Sequence, residues 1–370
     1  MIERIRLSCV SAMLILIMAL PLFCGNVASG QGAGRPAEQY NLYFGDLHTH
    51  TSYSDAWEGT PWDAYAAAIA AGADFMAVTD HVGFWHAYEG LTMDSEEWAD
   101  TLDAADFYTS ENFVAMAGYE AWLLAKCGEI NVYNIRELPP QEPLKVRSER
   151  LPDFYDWLAQ QTGAIGQWNH PLYMSRDFMG YDYYTESRDG AMSVIEAYNA
   201  VYYDASYNKA LDAGWHVMPS ANSDTHNPDW ISGSEVRTVL LAPSLTPDNL
   251  YEAMRENRGY ATLDMNLRVS YTLNGQVMGS TLSPEVSSYV ASIHIEDPDG
   301  VPSDDVTMVE IISDRGIVVA SVPTSGNIVD LALSLESDTS HYYYIRVTTA
   351  SNMDGVPGVT AWTAPVWTGR

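Results

Sequence analysis

From residue 42 to about residue 264, short apolar runs alternate with segments whose apolar residues recur at three-to-four spacing. The runs at 42–44, 75–78, 113–117, 164–168, 194–198, 216–219 and 238–242 read as strands. Segments 62–71, 95–108, 153–161, 205–213 and 247–257 read as the helices between them. This alternation implies parallel strands joined through helices. After about residue 266 the helical spacing disappears. Thr, Ser, Val and Tyr alternate, and runs at 289–295, 306–312, 317–321 and 342–347 are separated by turn-rich segments, as in a small immunoglobulin-like β-sandwich. The acidic turn Asp297-Pro298-Asp299 with Asp304-Asp305 lacks the spaced pattern of a calcium loop and reads as solvated.

Polar residues break this pattern at particular places. Five of the nine histidines fall in four acid-rich clusters: Asp46-Leu47-His48-Thr49-His50, Thr79-Asp80-His81, Asn169-His170-Pro171 and Ser223-Asp224-Thr225-His226. With Glu120, nearly all of them sit just after an expected strand. Ligands gathered from many strand ends suit a barrel, whereas an open sheet would concentrate them at one switch point. His48 and His50 are two apart in an extended segment, so their side chains project the same way and can share one ion. Imidazole with carboxylate, and no cysteine, suits zinc, manganese or iron.

The 370 residues exceed what one core usually organises, so two domains are expected, at 40–265 and 266–370. Arg4 and Arg6, the apolar stretch 7–23 and the small residues Val27-Ala28-Ser29 have the layout of a secretory signal peptide spanning 1–29. A secreted or periplasmic protein follows, with a membrane anchor at 7–23 as the alternative. Cleavage would remove one acid and two bases, moving the net charge from −31 to −32. So acidic a chain disfavours nucleic acid and anionic membrane as partners and leaves a small-molecule substrate. Cys127 would then be alone, so no internal disulfide is expected.

The motifs from Asp46 to Thr51, with Ser54-Asp55, Thr79-Asp80-His81, Glu120, Asn169-His170-Pro171 and Ser223-Asp224-Thr225-His226, resemble the PHP (polymerase and histidinol phosphatase) superfamily over residues 40–265. Leu211-Asp212-Ala213-Gly214-Trp215, Tyr342-Tyr343-Tyr344-Ile345-Arg346-Val347 and Ala361-Trp362 resemble its secreted carbaryl-hydrolase-like branch. The resemblance implies an α/β fold, a distorted (β/α)7 barrel, holding two or three divalent ions (Mn, Fe or Zn). It implies that His48, His50, Glu120 and Asp224 surround one ion and that Glu120 bridges to a second with His170. Asp55, His81 and His226 form a third corner. Asp55, Asp224 and His226 are the catalytic candidates. Glu129 stands where the family usually has a histidine; it is either a ligand that favours manganese or iron, or a solvated loop residue.

Asp46, Asp80, Glu196 and Asn199 are candidates to orient the ligands through hydrogen bonds. Trp57, Trp85, Trp122, Trp168 and Trp230 accompany the clusters and hint at an apolar substrate portion; Trp57 and Trp85 are the candidates for contact. Cations near the motifs are few: Lys126, Arg176, Arg188 and Arg237, of which Arg237 is a candidate for substrate contact with a structural role as its alternative. The expected function is a secreted metal-dependent hydrolase in which a metal-bound hydroxide attacks a phosphoester, carbamate or carboxylic ester. The alternative is a non-catalytic extracellular module, stabilised by metal, that recognises a glycan or protein. The sequence leaves the oligomeric state open.

Overall fold

The computed structural model describes residues 40–83, 91–123, 127–139, 151–172, 177–283, 286, 288–336, 339–351 and 358–370. The expected leader at 1–29, Trp85, Lys126 and Arg176 lie outside them. No helix among the described residues is long and apolar enough to cross a membrane.

Residues 41–262 contribute β1 (Asn41–Asp46), β2 (Phe75–Val78), β3 (His81–Val82), β4 (Val114–Leu123), β5 (Gly128–Tyr133), β6 (Ile165–Asn169), β7 (Met192–Asn199), β8 (Val201–Tyr202), β9 (Met218–Ala221), β10 (Arg237–Ala242) and β11 (Gly259–Thr262). Helices α1 (Pro61–Ala70), α2 (Ser95–Tyr108), α3 (Leu151–Leu158), α4 (Glu186–Asp189), α5 (Asp204–Asp212) and α6 (Pro247–Arg255) lie between them. Helix α2 starts where Asp94 caps it: the carboxylate accepts from Glu96 N at 2.7 Å and Glu97 N at 3.0 Å, while Glu97 reaches back to Asp94 N. Helix α6 buries Leu250, Ala253 and Met254 on one stripe.

These strands belong to a large mixed sheet, ordered β11-β10-β1-β2-β4-β5-β6-β7-β8, with β9 also on β7 and β3 on β4. The all-parallel arrangement implied by the sequence is corrected here. β1–β2, β2–β4, β6–β7 and β7–β9 are parallel. β1–β10, β10–β11, β4–β5 and β5–β6 are antiparallel. For β4 and β5 the cause is connection length: Leu123 and Gly128 are too close in sequence for a crossover, so the two strands pair antiparallel. Antiparallel β5 therefore brings its first residues beside the last residues of β4 and β6, with Glu129 opposite both Trp122 and Asn169. β9 meets β10 through the Thr238 hydroxyl, which accepts from Ala221 N and donates to Ala221 O, both at 3.1 Å.

The later strands are β12 (Arg268–Leu273), β13 (Gln276–Val277), β14 (Ser288–Glu296), β15 (Val306–Ser313), β16 (Ile317–Pro323), β17 (Ile328–Glu336), β18 (Tyr342–Thr349), β19 (Gly358–Thr363) and β20 (Val366–Trp367). β19 pairs with β11, matching Tyr260 to Thr363, so β19, β18, β15 and β16 continue the large sheet. The order β13-β12-β14-β17 makes a second sheet. Its inward residues Val269, Tyr271, Ile293 and Ile295 share an apolar layer with Val309, Ile311, Ile345 and Val347. β14 alternates buried and accessible residues, as a one-sided strand must, whereas β7 is buried along its whole length.

Candidate metal centre

Two glycines allow the backbone to bring the site residues close. A Cβ on Gly45 would lie 2.2 Å from Phe75 O, so only glycine lets β1 press against β2 just before the first cluster. Gly128, at φ +108°, packs against the Phe178 ring and starts the strand that carries Glu129. Beyond the strand ends the clusters zip together through their main chains. His50 N donates to Thr225 O and Asp224 N to His48 O, both at 3.0 Å; Thr79 N donates to Thr49 O at 2.8 Å, and Glu120 N to Thr79 O at 3.1 Å. His170 and Asp224 sit at positive φ, 28° and 51°, a cost that ligand-bearing turns often carry.

The side chains converge in three overlapping groups, each with ligand atoms within 4.8 Å of one another. His48, His50, Glu120 and Asp224 form the first; Glu120, Glu129 and His170 the second; His50, Asp55, His81 and His226 the third. Glu120 joins them. Its Oε2 lies 3.2 Å from His48 Nε2, 3.3 Å from His50 Nε2 and 3.2 Å from His81 Nδ1, while its Oε1 lies 3.3 Å from His170 Nε2. Asp224 Oδ1 closes the first group at 3.2 Å from His48 Nε2 and 3.0 Å from His50 Nε2. Glu129 Oε2 is 3.2 Å from His170 Nε2, so the structure places Glu129 in the cluster and buried. Asp55 bridges His226 at 3.1 Å and His81 at 3.7 Å on the more accessible side.

The donor set fits divalent ions of the zinc, manganese and iron type. Ligands about 2.0–2.1 Å from a tetrahedral ion stand about 3.3–3.4 Å apart, close to the separations in the first group. His48 Nε2 and His50 Nε2 face each other at 3.1 Å. His48 Nδ1 is held by Glu196 at 2.9 Å and His226 Nδ1 by the Asp224 carbonyl at 2.8 Å, which leaves each Nε2 lone pair pointing into the cluster. The buried His81 Nδ1 has no hydrogen-bond partner; it is near Glu120 but not in bonding geometry.

Protons stand in for cations when no metal is bound. Burial opposes charging of His50, yet its hydrogen bonds to Asp224 and Glu120 outweigh that and hold it up at about 10. His170 is held at about 9 in the same way by Glu120. His48 is raised as well, its burial outweighed by the charges of Asp224, Glu120 and Glu196. Burial dominates at His81, which falls to about 4. Burial also acts against ionisation of Glu120 and Asp224, but the charge of His48 heads the groups that keep both ionised. Asp55 is lowered to about 2, its burial outweighed by the His226 hydrogen bond. A divalent ion would replace these protons with fixed charge.

A second layer of hydrogen bonds fixes the cluster. Glu196 accepts from His170 N at 2.5 Å, Asn199 at 3.0 Å and Asn222 at 2.9 Å, besides holding His48. Asn199 also donates to Asp224 at 3.2 Å. Asp46 takes His48 N at 2.9 Å and Ser223 N at 3.1 Å, tying the first cluster to the last; burial pushes its carboxyl up to about 6. Asp80 takes Thr51 N at 2.7 Å and Ser54 Oγ at 2.6 Å, pinning the loop that carries Asp55. Sequence reasoning assigned no role to Asn131, Asn169 or Asn222. Asn169 donates to Glu120 and to Asn131, both at 2.7 Å, and Asn222 accepts from Leu47 N at 3.0 Å. Asn169 stood beside His170 in a motif already singled out; the other two had no spacing signal.

The remaining candidates are dispersed. Trp57 is 87% exposed, with its main chain against His226 O. Trp122 lies 5.4 Å from the His81 ring, Trp230 donates to His50 O at 2.9 Å, and Trp168 is core. Buried Arg237 donates to the carbonyls of Ile231, Ser234 and Val236, and Arg188 pairs with Asp156.

No family model and no curated protein matches the chain. Among solved structures it is similar to a two-domain protein from Bacteroides vulgatus ATCC 8482, described as containing a predicted PHP-like metal-dependent phosphoesterase. The identity is 17% over 87% of this chain and 96% of that one, with a TM-score of 0.48. It is also similar to a putative metal-dependent phosphoesterase from Bifidobacterium adolescentis ATCC 15703, at 13% identity over 49% of this chain and 87% of that one, TM-score 0.30. A third is an amidohydrolase from Chromobacterium violaceum, at 15% identity over 50% and 88%, TM-score 0.35. Function has to be argued from the site itself.

Proposed function

We propose that this chain is a secreted, metal-dependent hydrolase that cleaves an ester-type bond in a small molecule. In this reading residues 40–265 form a distorted (β/α)7 barrel of the PHP kind, nearest its carbaryl-hydrolase-like branch, and residues 266–370 an immunoglobulin-like β domain. One observation carries the chemistry: five histidines and four carboxylates converge in three ligand groups that share Glu120 and His50. Overlapping groups of this kind suit adjacent ions better than a single structural one, and Asp55 and His226 leave one side accessible.

Bound divalent ions would supply an activated water and offset the charge that develops as an ester is cleaved. His48, His50, Glu120 and Asp224 would hold one ion; Glu120, Glu129 and His170 a second; Asp55, His81 and His226 a third. Asp55 is ionised at neutral pH, and its Oδ1 stands 3.1 Å from His226 Nε2; where the third group holds no ion, this pair would accept a proton on the accessible side and return it to the leaving group. Trp122 offers an apolar wall beside His81. Arg237 donates to three main-chain carbonyls, which leaves charge compensation for a phosphoester to the ions. Assay of the metal-loaded protein against aryl phosphates and aryl carbamates tests the reading. Turnover of either supports it, and turnover of neither removes it.

A further inference from the structure

A second cluster of acids lies apart from the histidine centre. Asp264, Asp297 and Asp304 offer carboxylate oxygens within 4.8 Å of one another. They come from two connections: Asp264 follows β11, while Asp297 and Asp304 stand near the two ends of the segment that leads from β14 of the second sheet to β15 of the large sheet. Local hydrogen bonds fix them. Asp264 Oδ1 accepts from Asn266 N and Leu267 N, both at 2.8 Å, and Asp297 Oδ1 accepts from Asp299 N at 3.0 Å. The Asp297 main chain is held at both ends by Asn327, at 2.8 and 3.0 Å.

The turn that reads as solvated in the sequence is therefore only partly so. Asp297 is fully buried, and its Oδ2 has no hydrogen-bond partner. Among the described residues, the Lys and Arg side chains that form ion pairs do so with Asp106, Asp156, Asp177, Glu252 and Glu310, not with this trio. Burial, and then the Asp264 charge, pushes the Asp297 carboxyl up to about 6. A buried, unpartnered carboxylate oxygen beside two more carboxylates calls for a cation.

We propose that Asp264, Asp297 and Asp304 form a calcium site that ties the end of β14 to the segment leaving β11. An oxygen-only set suits a hard cation, unlike the nitrogen-rich centre. Two ligands of one calcium at about 2.3–2.6 Å stand at most about 5 Å apart, a span the trio meets. Main-chain carbonyls and waters complete such a shell.

Calorimetric titration of the full chain with calcium chloride, alongside thermal unfolding, tests this. The expected result is one calcium per chain with a Kd of about 10⁻³ M or tighter, and an unfolding midpoint raised by about 2–4 °C at saturation. Asp297→Asn and Asp304→Asn should each weaken binding at least tenfold and abolish the shift, while leaving hydrolysis by the metal-loaded protein unchanged. Asp304 is only half-buried, so its variant carries the test should Asp297→Asn fail to fold. Wild-type calcium affinity in both variants, or no binding heat in the wild type, would overturn the proposal. An equal response to magnesium would overturn the assignment to calcium.

Discussion

The histidine centre and the aspartate trio both bring acids from separate strands to one point, and they differ in almost everything else. At the centre, imidazole nitrogens and carboxylate oxygens alternate at 3.0–3.3 Å around Glu120, and Glu196, Asn199, Asp46 and Asp80 hold the ligands or their loops from behind. At the trio only oxygen is offered, spread over as much as 4.8 Å, with main-chain amides as the recorded support. The first arrangement suits small ions held in fixed geometry beside an accessible face. The second suits a larger ion with loose geometry, whose effect would be to join strands. Donor type and spacing are therefore what distinguish the proposed catalytic centre from the proposed calcium site.

The largest effect should come from removing a shared ligand. His48→Ala should lower turnover by more than about 100-fold and reduce bound transition metal, measured together on one preparation. Equal activity with less metal would erase the distinction between the two clusters. Glu196→Gln keeps the shape but weakens the hold on His48 and His170 N; metal affinity should fall about 10–100-fold, read by competition with a chelating dye. Glu129→Ala should remove ions from the second group while sparing the first, and an unchanged metal content would make Glu129 a bystander.

A smaller effect is expected from pH on the metal-free protein. His50 and His170 have folded-state values of about 10 and 9, above the ordinary 6.5, so their protonated forms favour the folded chain. That stabilisation is complete below about 6.5 and is lost as pH rises through 9 to 10. His81, depressed to about 4, acts in the opposite sense: its contribution is present above 6.5 and lost as pH falls towards 4. The unfolding midpoint of the metal-free protein should therefore drop between pH 7 and pH 10. Metal-loaded protein should resist that drop, because ions compete better as protons leave; parallel curves would argue against metal at the histidines.

Much of the centre could be read in the sequence because its ligands fall in short motifs after apolar runs. Strand alternation alone put His48 and His50 on one face, and apolar spacing made α2 legible over 95–108. Strand β5 was missed: Glu129 and Asn131 point into a buried polar site, so Gly128–Tyr133 has the polarity of a loop. Its direction, and that of β10, follow from connections that carry no helix, a feature the βα rhythm obscures. Asn222 and Asn131 gave no signal, since a lone asparagine has no spacing to recognise. The aspartate trio was only partly legible for a related reason. Asp297 and Asp304 share one acidic turn, but Asp264 comes from a connection distant in sequence, and only packing brings it to them.

Elemental analysis of the purified full chain, wild type beside His48→Ala, tests the central claim most directly. Two or three zinc, manganese or iron ions per wild-type chain, with a clear fall in the variant, is the predicted result. No transition metal in the wild type, or the same content in both proteins, would contradict it.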